Sequence, residues 1–236
     1  MNTLGSPVHY RDLPAAKQGD LVTYSVTSDL DGSGLEQCVL VLDAGSASRT
    51  VLQGRDEVLY VIGGSGAVEV DDQIHEVSAD VAMRISGGRT YTLRRTRGRL
   101  EVVAVSGNAP VSGAAVTSST LVDPLDQEAK PAVSDRQYRV LFDAESGCSG
   151  LTHFIGYVPA VRTPMHTHPY SEMVCIIEGS GTVDIDGHMA NVSPGWCYYL
   201  PEGVPHRVQN KDPDNYLVEM CVFTPSGSPE QNTSVE

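Results

Sequence analysis

The stretch HTHPYSE, residues 166–172, places His166 and His168 one residue apart and Glu172 four residues after the second histidine. Because alternate residues of a β-strand point to the same face, the two imidazoles share one side of a strand. A third histidine, His206, follows later, within PEGVPHRVQN. Three imidazoles and one carboxylate suit a divalent transition metal, whereas structural zinc sites usually recruit thiolates. The spacing therefore predicts a metal site formed by these four side chains.

The remainder of the chain consists of short segments that are typical of β-strands, such as EVLYVIGG and EMVCIIEG. They are rich in β-branched and aromatic residues and are separated by Gly, Pro, Asp and Ser turns. Apart from DPLDQEA, no segment has a convincing helical period. The pattern predicts an all-β protein.

The two halves of the chain resemble each other at a constant shift of 115 residues. GSGAVEVDD at 64–72 then lies on GSGTVDIDG at 179–187, and Glu57 lies on Glu172. A shift that preserves a glycine turn and a carboxylate indicates a tandem duplication.

The metal motif is similar to that of the cupin superfamily. Its first pattern, H-x-H-x3-E-x6-G, is met by His166, His168, Glu172 and Gly179. Its second pattern, G-x5-P-x-G-x2-H-x3-N, is met by Gly195, Pro201, Gly203, His206 and Asn210. The glycine that the family has six residues before the first histidine is Ala160 here. With the duplication, the resemblance implies a bicupin, that is, two tandem cupin barrels of the double-stranded β-helix or jelly-roll type.

The resemblance and the composition together predict the domain boundaries. We expect an N-terminal degenerate barrel at 1–110, of which the first ~20 residues form an arm. A linker rich in Pro, Ala and Ser follows at 111–135. The metal-binding barrel is expected at 136–225 and a flexible tail at 226–236.

In the first half, the motif spacing puts Val51, Gln53 and Tyr91 where the three histidines belong, and only Glu57 is kept. One carboxylate and one amide hold a transition metal poorly. We therefore expect the N-terminal barrel to be structural, with a vestigial ligand pocket as the alternative.

The resemblance implies one divalent transition metal per chain, with iron favoured and then manganese, nickel, copper, cobalt or zinc. Three residues are predicted to act on the substrate. Glu172 could accept a substrate proton, and Arg162 could clamp a carboxylate unless it is a solvated rim residue. Tyr199 is preferred to Tyr198 as the tyrosine of the cavity wall. His9, His75, His153 and His188 fit no ligand spacing and are expected at the surface or in loops.

Cupins with this ligand set include dioxygenases, oxalate oxidases and decarboxylases, isomerases and lyases, so the resemblance implies an enzyme. The first hypothesis is an oxidoreductase, specifically a dioxygenase acting on a small metal-chelating organic substrate. The second is a redox-neutral isomerase, cyclase, decarboxylase or lyase. The third is a non-catalytic cupin that binds a small molecule.

Composition narrows the partners. The net charge of −14 argues against a nucleic-acid ligand, and no apolar run approaches the length of a membrane span. Five cysteines without a CxxC pair favour a reducing, cytoplasmic context with buried free thiols. We expect a small-molecule substrate, no nucleic acid and no membrane, in a monomer or a homo-oligomer.

Overall fold

A computed structural model describes residues 6–28, 32–109 and 120–235. Within these ranges the chain is nearly all β-structure, and its two short 3-10 helices are Tyr10–Asp12 and Pro124–Asp126. The twenty-one strands of the described residues are β1 Val8–His9, β2 Ala15–Gln18, β3 Leu21–Ser28, β4 Glu36–Leu42, β5 Ser46–Thr50, β6 Arg55–Val70, β7 Gln73–Ser78, β8 Ala82–Ser86, β9 Thr90–Asn108, β10 Thr120–Val122, β11 Lys130–Pro131, β12 Gln137–Phe142, β13 Thr152–Val158, β14 His166–Thr167, β15 Ser171–Glu178, β16 Gly181–Ile185, β17 His188–Val192, β18 Trp196–Leu200, β19 His206–Asn210, β20 Leu217–Thr224 and β21 Thr233–Ser234.

The strands form two tandem barrels, as the sequence predicts. The N-terminal barrel is one nine-stranded antiparallel sheet in the order β10-β8-β6-β9-β4-β3-β2, with β5 added to β9 and β7 added to β6. The C-terminal barrel packs a seven-stranded sheet, β1-β18-β15-β20-β13-β12-β11, against a five-stranded sheet, β17-β16-β19-β14-β21.

Three strands of the seven-stranded sheet, β15, β18 and β20, are buried on both faces. Along β15, Val174 and Ile176 belong to the core inside the C-terminal barrel, whereas Met173 and Cys175 belong to the core between the two barrels. This alternation follows from the two-residue period of a strand. Glu172 has the parity of Val174 and therefore points into the barrel.

Two short strands that lie outside the barrels in sequence extend the sheets of the barrels. In the N-terminal arm, β1 pairs with β18 of the C-terminal barrel, and within the predicted linker, β10 pairs with β8 of the N-terminal barrel. The interface also contains a hydrogen bond from Arg84 to the carbonyl of Gly147 at 2.7 Å. Of the predicted linker, residues 111–119 lie outside the described residues, and 130–131 already pair with β12. The predicted tail contains β21, which pairs with β14.

The duplication is visible in the strand register. Val70 pairs with Tyr91 in the first barrel, and Ile185 pairs with His206 in the second, at the same shift of 115 residues. The turn glycine Gly179 has a φ of +74°, a left-handed conformation that side chains other than glycine rarely adopt.

One histidine departs from the prediction. His153 is fully buried between the barrels, where its ring contacts the rings of Tyr60 and Phe142, and burial lowers its pKa to about 3. It lies on the central strand β13 and not in a loop, so the prediction of a surface position was wrong. All five cysteines are buried and free, which confirms the expectation for Cys175, Cys197 and Cys221 and extends it to Cys38 and Cys148. In the described part of the chain, no helix has the length and apolar composition needed to span a membrane.

The turn glycines give a matched test of the fold. A Cβ on Gly179 would lie 2.3 Å from the carbonyl oxygen of Tyr216, whereas a Cβ on Gly187, at φ +80°, would meet nothing within 4 Å. We expect Gly187→Ala to cost about 1 kcal/mol, from the unfavourable φ alone. Gly179→Ala adds a backbone clash and should cost about 3 kcal/mol or more. Equal losses in urea unfolding would contradict the close approach.

Candidate metal centre

The four predicted ligands lie on adjoining parts of the C-terminal barrel. His166 on β14 pairs directly with His206 on β19, and Glu172 lies near the start of β15 on its inward face. His168 lies in the short connection between β14 and β15. The two sheets of the barrel thus contribute ligands from opposite sides to one end of its interior.

The side chains of these residues converge. Atoms of His168, Glu172 and His206 that can bind a metal all lie within 4.8 Å of one another, and the three residues are buried. Nε2 of His168 is 2.9 Å from Oε2 of Glu172. His166 is outside this close group, but its ring centroid is 4.4 Å from that of His206 and it lines the same cavity. The structure therefore brings three of the predicted ligands together and places the fourth beside them.

Each imidazole is oriented by a backbone carbonyl two residues away. Nδ1 donates to Pro164 in His166, to Tyr170 in His168 and to Val204 in His206, at 3.0, 2.7 and 2.9 Å. A carbonyl can only accept, so the proton is on Nδ1 and the lone pair is on Nε2. All three rings thus have the tautomer that metal binding through Nε2 requires.

Burial keeps two of the imidazoles neutral. It lowers the pKa of His206 to about 3, with His166 and His168 adding to the effect. Burial also lowers the pKa of His166. Burial raises the pKa of the Glu172 carboxyl, but the contact with His168 outweighs this and the pKa falls below its ordinary value. At neutral pH His166 and His206 are therefore neutral and Glu172 is ionised, the protonation states in which these groups bind a cation.

The donor set fits a divalent transition metal. Nε2 of His168 is buried and makes no hydrogen bond of acceptable geometry despite its short distance to Glu172. A buried polar atom without a hydrogen bond is costly, and a cation between these atoms would satisfy it. The ring of Tyr170 stacks on the ring of His168, with the centroids 4.1 Å apart, and on the ring of Phe223, with the centroids 3.8 Å apart. This stacking helps to hold the imidazole of His168 in place.

The ligands open onto a cavity of about 470 Å³. Its walls are mainly aromatic and aliphatic, including Tyr138, Phe154, Tyr157, Val174 and Val208. Part of its rim comes from the C-terminal segment, for which the sequence predicts a flexible tail. In that segment Glu230 accepts a hydrogen bond from the hydroxyl of Tyr138 at 2.7 Å.

The cavity wall also contains a hydrogen-bonded pair of a glutamate and a tyrosine, and the sequence analysis did not identify its glutamate. Glu219 on β20 is buried, and its Oε1 accepts a hydrogen bond from the Tyr198 hydroxyl at 2.9 Å. Burial raises the pKa of Glu219 to about 7. The alternation of residues along the strand NYLVEMCVF could have identified Glu219 as a residue of the cavity. Glu219 lies on the same face of the strand as Leu217 and Cys221, which belong to the core inside the barrel.

Two of the predicted catalytic residues lie elsewhere. Tyr199 belongs to the core between the barrels, and its hydroxyl donates to Ser33 of the N-terminal half at 3.2 Å, so Tyr198 is the cavity tyrosine. The wrong choice arose because both faces of β18 are buried, so the sequence does not mark the inner one. Arg162 is exposed and does not line the cavity. It forms a β-bridge with Gln209 at the edge of the barrel.

The N-terminal barrel has an arginine near the position that corresponds to the metal. Arg49 pairs with Tyr91 along β5 and β9, as His166 pairs with His206. Its guanidinium donates to the buried carboxylate of Glu57 at 3.0 Å, and the Tyr91 hydroxyl donates to the same carboxylate at 2.6 Å. Gln53 is exposed. The retained carboxylate is therefore neutralised by an internal cation.

Comparison with known proteins agrees with the geometry. The family model described as the cupin domain matches residues 154–223, so this part of the C-terminal barrel is similar in sequence to a cupin domain. No curated protein matches the chain in sequence.

Solved structures share the fold of the whole chain. A point mutant of Bacillus subtilis oxalate decarboxylase superposes with a TM-score of 0.76 at 15% identity, covering 100% of this chain and 80% of the other. A structure addressing the Mn(II) centres of that enzyme gives 0.75 at 15%, with the same coverage. A cupin 2 conserved barrel domain protein from Leptotrichia buccalis gives 0.68 at 14%, covering 94% of this chain and 98% of the other. At such identities the similarity establishes the fold alone.

Removal of one ligand should strongly weaken metal binding. We expect His168→Ala to weaken the binding of Mn(II) or Fe(II) about a hundredfold or more, because loss of a direct ligand exceeds the effect of losing its supporting partner. His188→Ala, in the same barrel but exposed, is the matched control and should retain one metal per chain. Elemental analysis after desalting measures both. Equal metal content in the two variants would contradict the assignment.

The internal cation of the first barrel predicts a loss of stability without loss of metal. Glu57→Gln removes the charge that pairs with Arg49, whose side chain is 32% exposed and stays partly hydrated. We expect a loss of about 1–3 kcal/mol in the free energy of unfolding, below the value for a fully buried pair. Glu69→Gln, which removes the exposed pair with Arg94, should cost about 0–0.5 kcal/mol. A lower metal content in Glu57→Gln would indicate that a metal binds in the N-terminal barrel, and this result would contradict the prediction.

Proposed function

We propose that the C-terminal barrel is the active site of a metal-dependent cupin enzyme that converts a small organic substrate without net oxidation, as a decarboxylase, isomerase or lyase. The observation that carries this proposal is the buried acid Glu219, which lines the same cavity as the metal ligands. The cavity is deep enough to take a small molecule and has the size of known ligand sites.

His166, His168, Glu172 and His206 would hold one divalent metal. Bacillus subtilis oxalate decarboxylase has Mn(II) centres, and a set of three imidazoles and one carboxylate can bind manganese or iron. When bound, such a metal polarises a substrate oxygen and stabilises negative charge that develops on the substrate.

Glu219 is the proton carrier in this proposal. Tyr198 donates to Oε1, and Oε2 has no hydrogen-bond partner among the described residues, so this oxygen is available to a substrate in the cavity. Burial raises the pKa of Glu219 to about 7, and the hydrogen bond from Tyr198 only partly offsets it. A carboxyl that titrates near neutral pH can both donate and accept a proton, which decarboxylation and isomerisation both need.

Oxygen-dependent chemistry is the second candidate. A dioxygenase would use the same ligands, and the aromatic lining of Tyr138, Phe154 and Tyr157 suits an aromatic substrate. It does not by itself require the Glu219–Tyr198 pair. Turnover under argon separates the two classes, because a redox-neutral enzyme keeps its rate and a dioxygenase loses it.

The role of Glu219 is tested by Glu219→Gln. On a substrate found by screening small organic acids with metal-loaded protein, we expect kcat to fall about 10²–10⁴-fold with the metal content unchanged. In the wild type, the rate of a step that needs the protonated carboxyl should fall as pH rises through the pKa that Glu219 has in the metal-loaded enzyme. Tyr198→Phe should keep the chemistry and shift that profile. An unchanged profile in both variants, or the loss of activity under argon, would overturn the proposal.

The same variant has a readout independent of turnover. The folded-state pKa of Glu219 is raised from an ordinary value of 4.5 to about 7, so ionisation costs stability as pH rises through this window. In metal-free protein, Glu219→Gln should therefore gain on the wild type by up to about 3 kcal/mol between pH 4.5 and 8. A constant difference across this range would show that the carboxyl titrates normally.

A further inference from the structure

The cavity mouth carries an arginine whose charge is not neutralised by the protein. Arg136 lines the cavity from the hairpin between β11 and β12. In the described residues, eight arginines form ion pairs with carboxylates within 4.0 Å, and Arg136 is not among them. In a chain of 30 acidic and 16 basic residues, an unpaired guanidinium at a cavity is unusual.

The hairpin fixes this guanidinium in place. The turn residues Ser134 and Asp135 have φ values of 64° and 56°, and the amide of Ala132 donates to the carbonyl of Arg136 at 2.8 Å. Nε of Arg136 donates to the carbonyl of Val133 at 3.0 Å. Its two terminal nitrogens have no hydrogen-bond partner in the part of the chain that the structure describes. These are the nitrogens that bind a carboxylate side by side.

The other arginine and the two glutamates outside the ligand set that line the cavity have hydrogen-bond partners within the protein. Arg207 makes two hydrogen bonds to Asp184, at 3.2 and 3.0 Å. Glu230 is exposed and accepts from Tyr138, and Glu219 accepts from Tyr198. A divalent metal with Glu172 as its one carboxylate ligand keeps a positive charge. With Arg136 added, the cavity presents two centres that attract an anion.

The positive charge of Arg136 extends into the site. Arg136 lines the same cavity as His166 and Glu219. It also acts against burial at Glu219, where it lowers the pKa slightly. Arg136 is thus close enough to a molecule in the cavity to interact with it.

We propose that the substrate of this site is an organic carboxylate with an apolar body, and that Arg136 binds its carboxylate group. The inference rests on the proposed function for the site but concerns recognition and not the reaction. The aromatic wall of Tyr138, Phe154 and Tyr157 receives the body of the substrate. Oxalate, which has no such body, would leave most of the cavity of about 470 Å³ empty.

Dihydroxyphenylacetate is a suitable probe, because its catechol oxygens chelate metals and its carboxylate is remote from them. Its neutral amide is the matched ligand without the charge. Protein loaded with Zn(II), which is redox-inert, binds both without oxidising them. In calorimetry we expect the wild type to bind the carboxylate about tenfold or more tightly than the amide.

Substitution assigns that preference to a residue. In Arg136→Gln the preference should fall to about twofold or less, and Arg136→Lys should keep part of it. Arg162→Gln, the same change at an exposed arginine outside the cavity, should behave like the wild type. Metal content and thermal midpoint, measured for each variant, show that the site and the fold are intact.

Metal-free protein separates the guanidinium from the metal as the source of selectivity. Both ligands should bind more weakly without metal, and the preference for the carboxylate should remain if Arg136 carries it. Three results would overturn the proposal: equal binding of both ligands by the wild type, an unchanged preference in Arg136→Gln, or a preference that disappears with the metal. Failure of turnover, or of the Glu219 prediction, would leave these binding ratios interpretable.

Discussion

The metal centre depends on three short hydrogen bonds between imidazoles and the backbone. Each ring donates Nδ1–H to a carbonyl of its own loop, which fixes the tautomer and turns Nε2 toward the barrel interior. The barrel fixes those carbonyls in turn, because β14, β15 and β19 are held in register by pairing. Without this constraint a buried imidazole could choose either tautomer, and convergence of three lone pairs would be accidental.

Each barrel has one buried carboxylate at the same position, and the surroundings of this negative charge differ between the two barrels. Glu57 and Glu172 occupy equivalent positions, and both are nearly inaccessible to solvent. In the first barrel Arg49 supplies the positive charge and Tyr91 a hydrogen bond, so the site is satisfied by the protein itself. In the second barrel the neighbours of the carboxylate are imidazoles and no arginine, and a bound cation would supply the positive charge. This difference explains how one copy can serve as scaffold while the other keeps a set of side chains that could hold a metal.

The sequence predicted the parts of this protein that depend on pattern and spacing. The all-β fold, the two barrels and the glycine turn at Gly179 follow from periodicity and from the shift of 115 residues. It failed where burial removes the pattern. Both faces of β18 are buried, so Tyr198 and Tyr199 could not be told apart, and His153 lies on a strand between the barrels. The sequence also did not predict the roles of three residues that lie on other strands or hairpins than the motif, namely Arg49, Arg136 and Glu219. Contacts of this kind have no characteristic spacing in the sequence.

X-ray absorption spectroscopy of protein loaded with one equivalent of Mn(II) tests the central claim most directly. It counts the nitrogen and oxygen donors of the bound ion and detects the outer-ring scattering that is specific to imidazole. Three coordinated imidazoles with at least one carboxylate oxygen are predicted from the orientation of His166, His168 and His206. A metal surrounded only by oxygen donors, or by a single imidazole, would contradict the account.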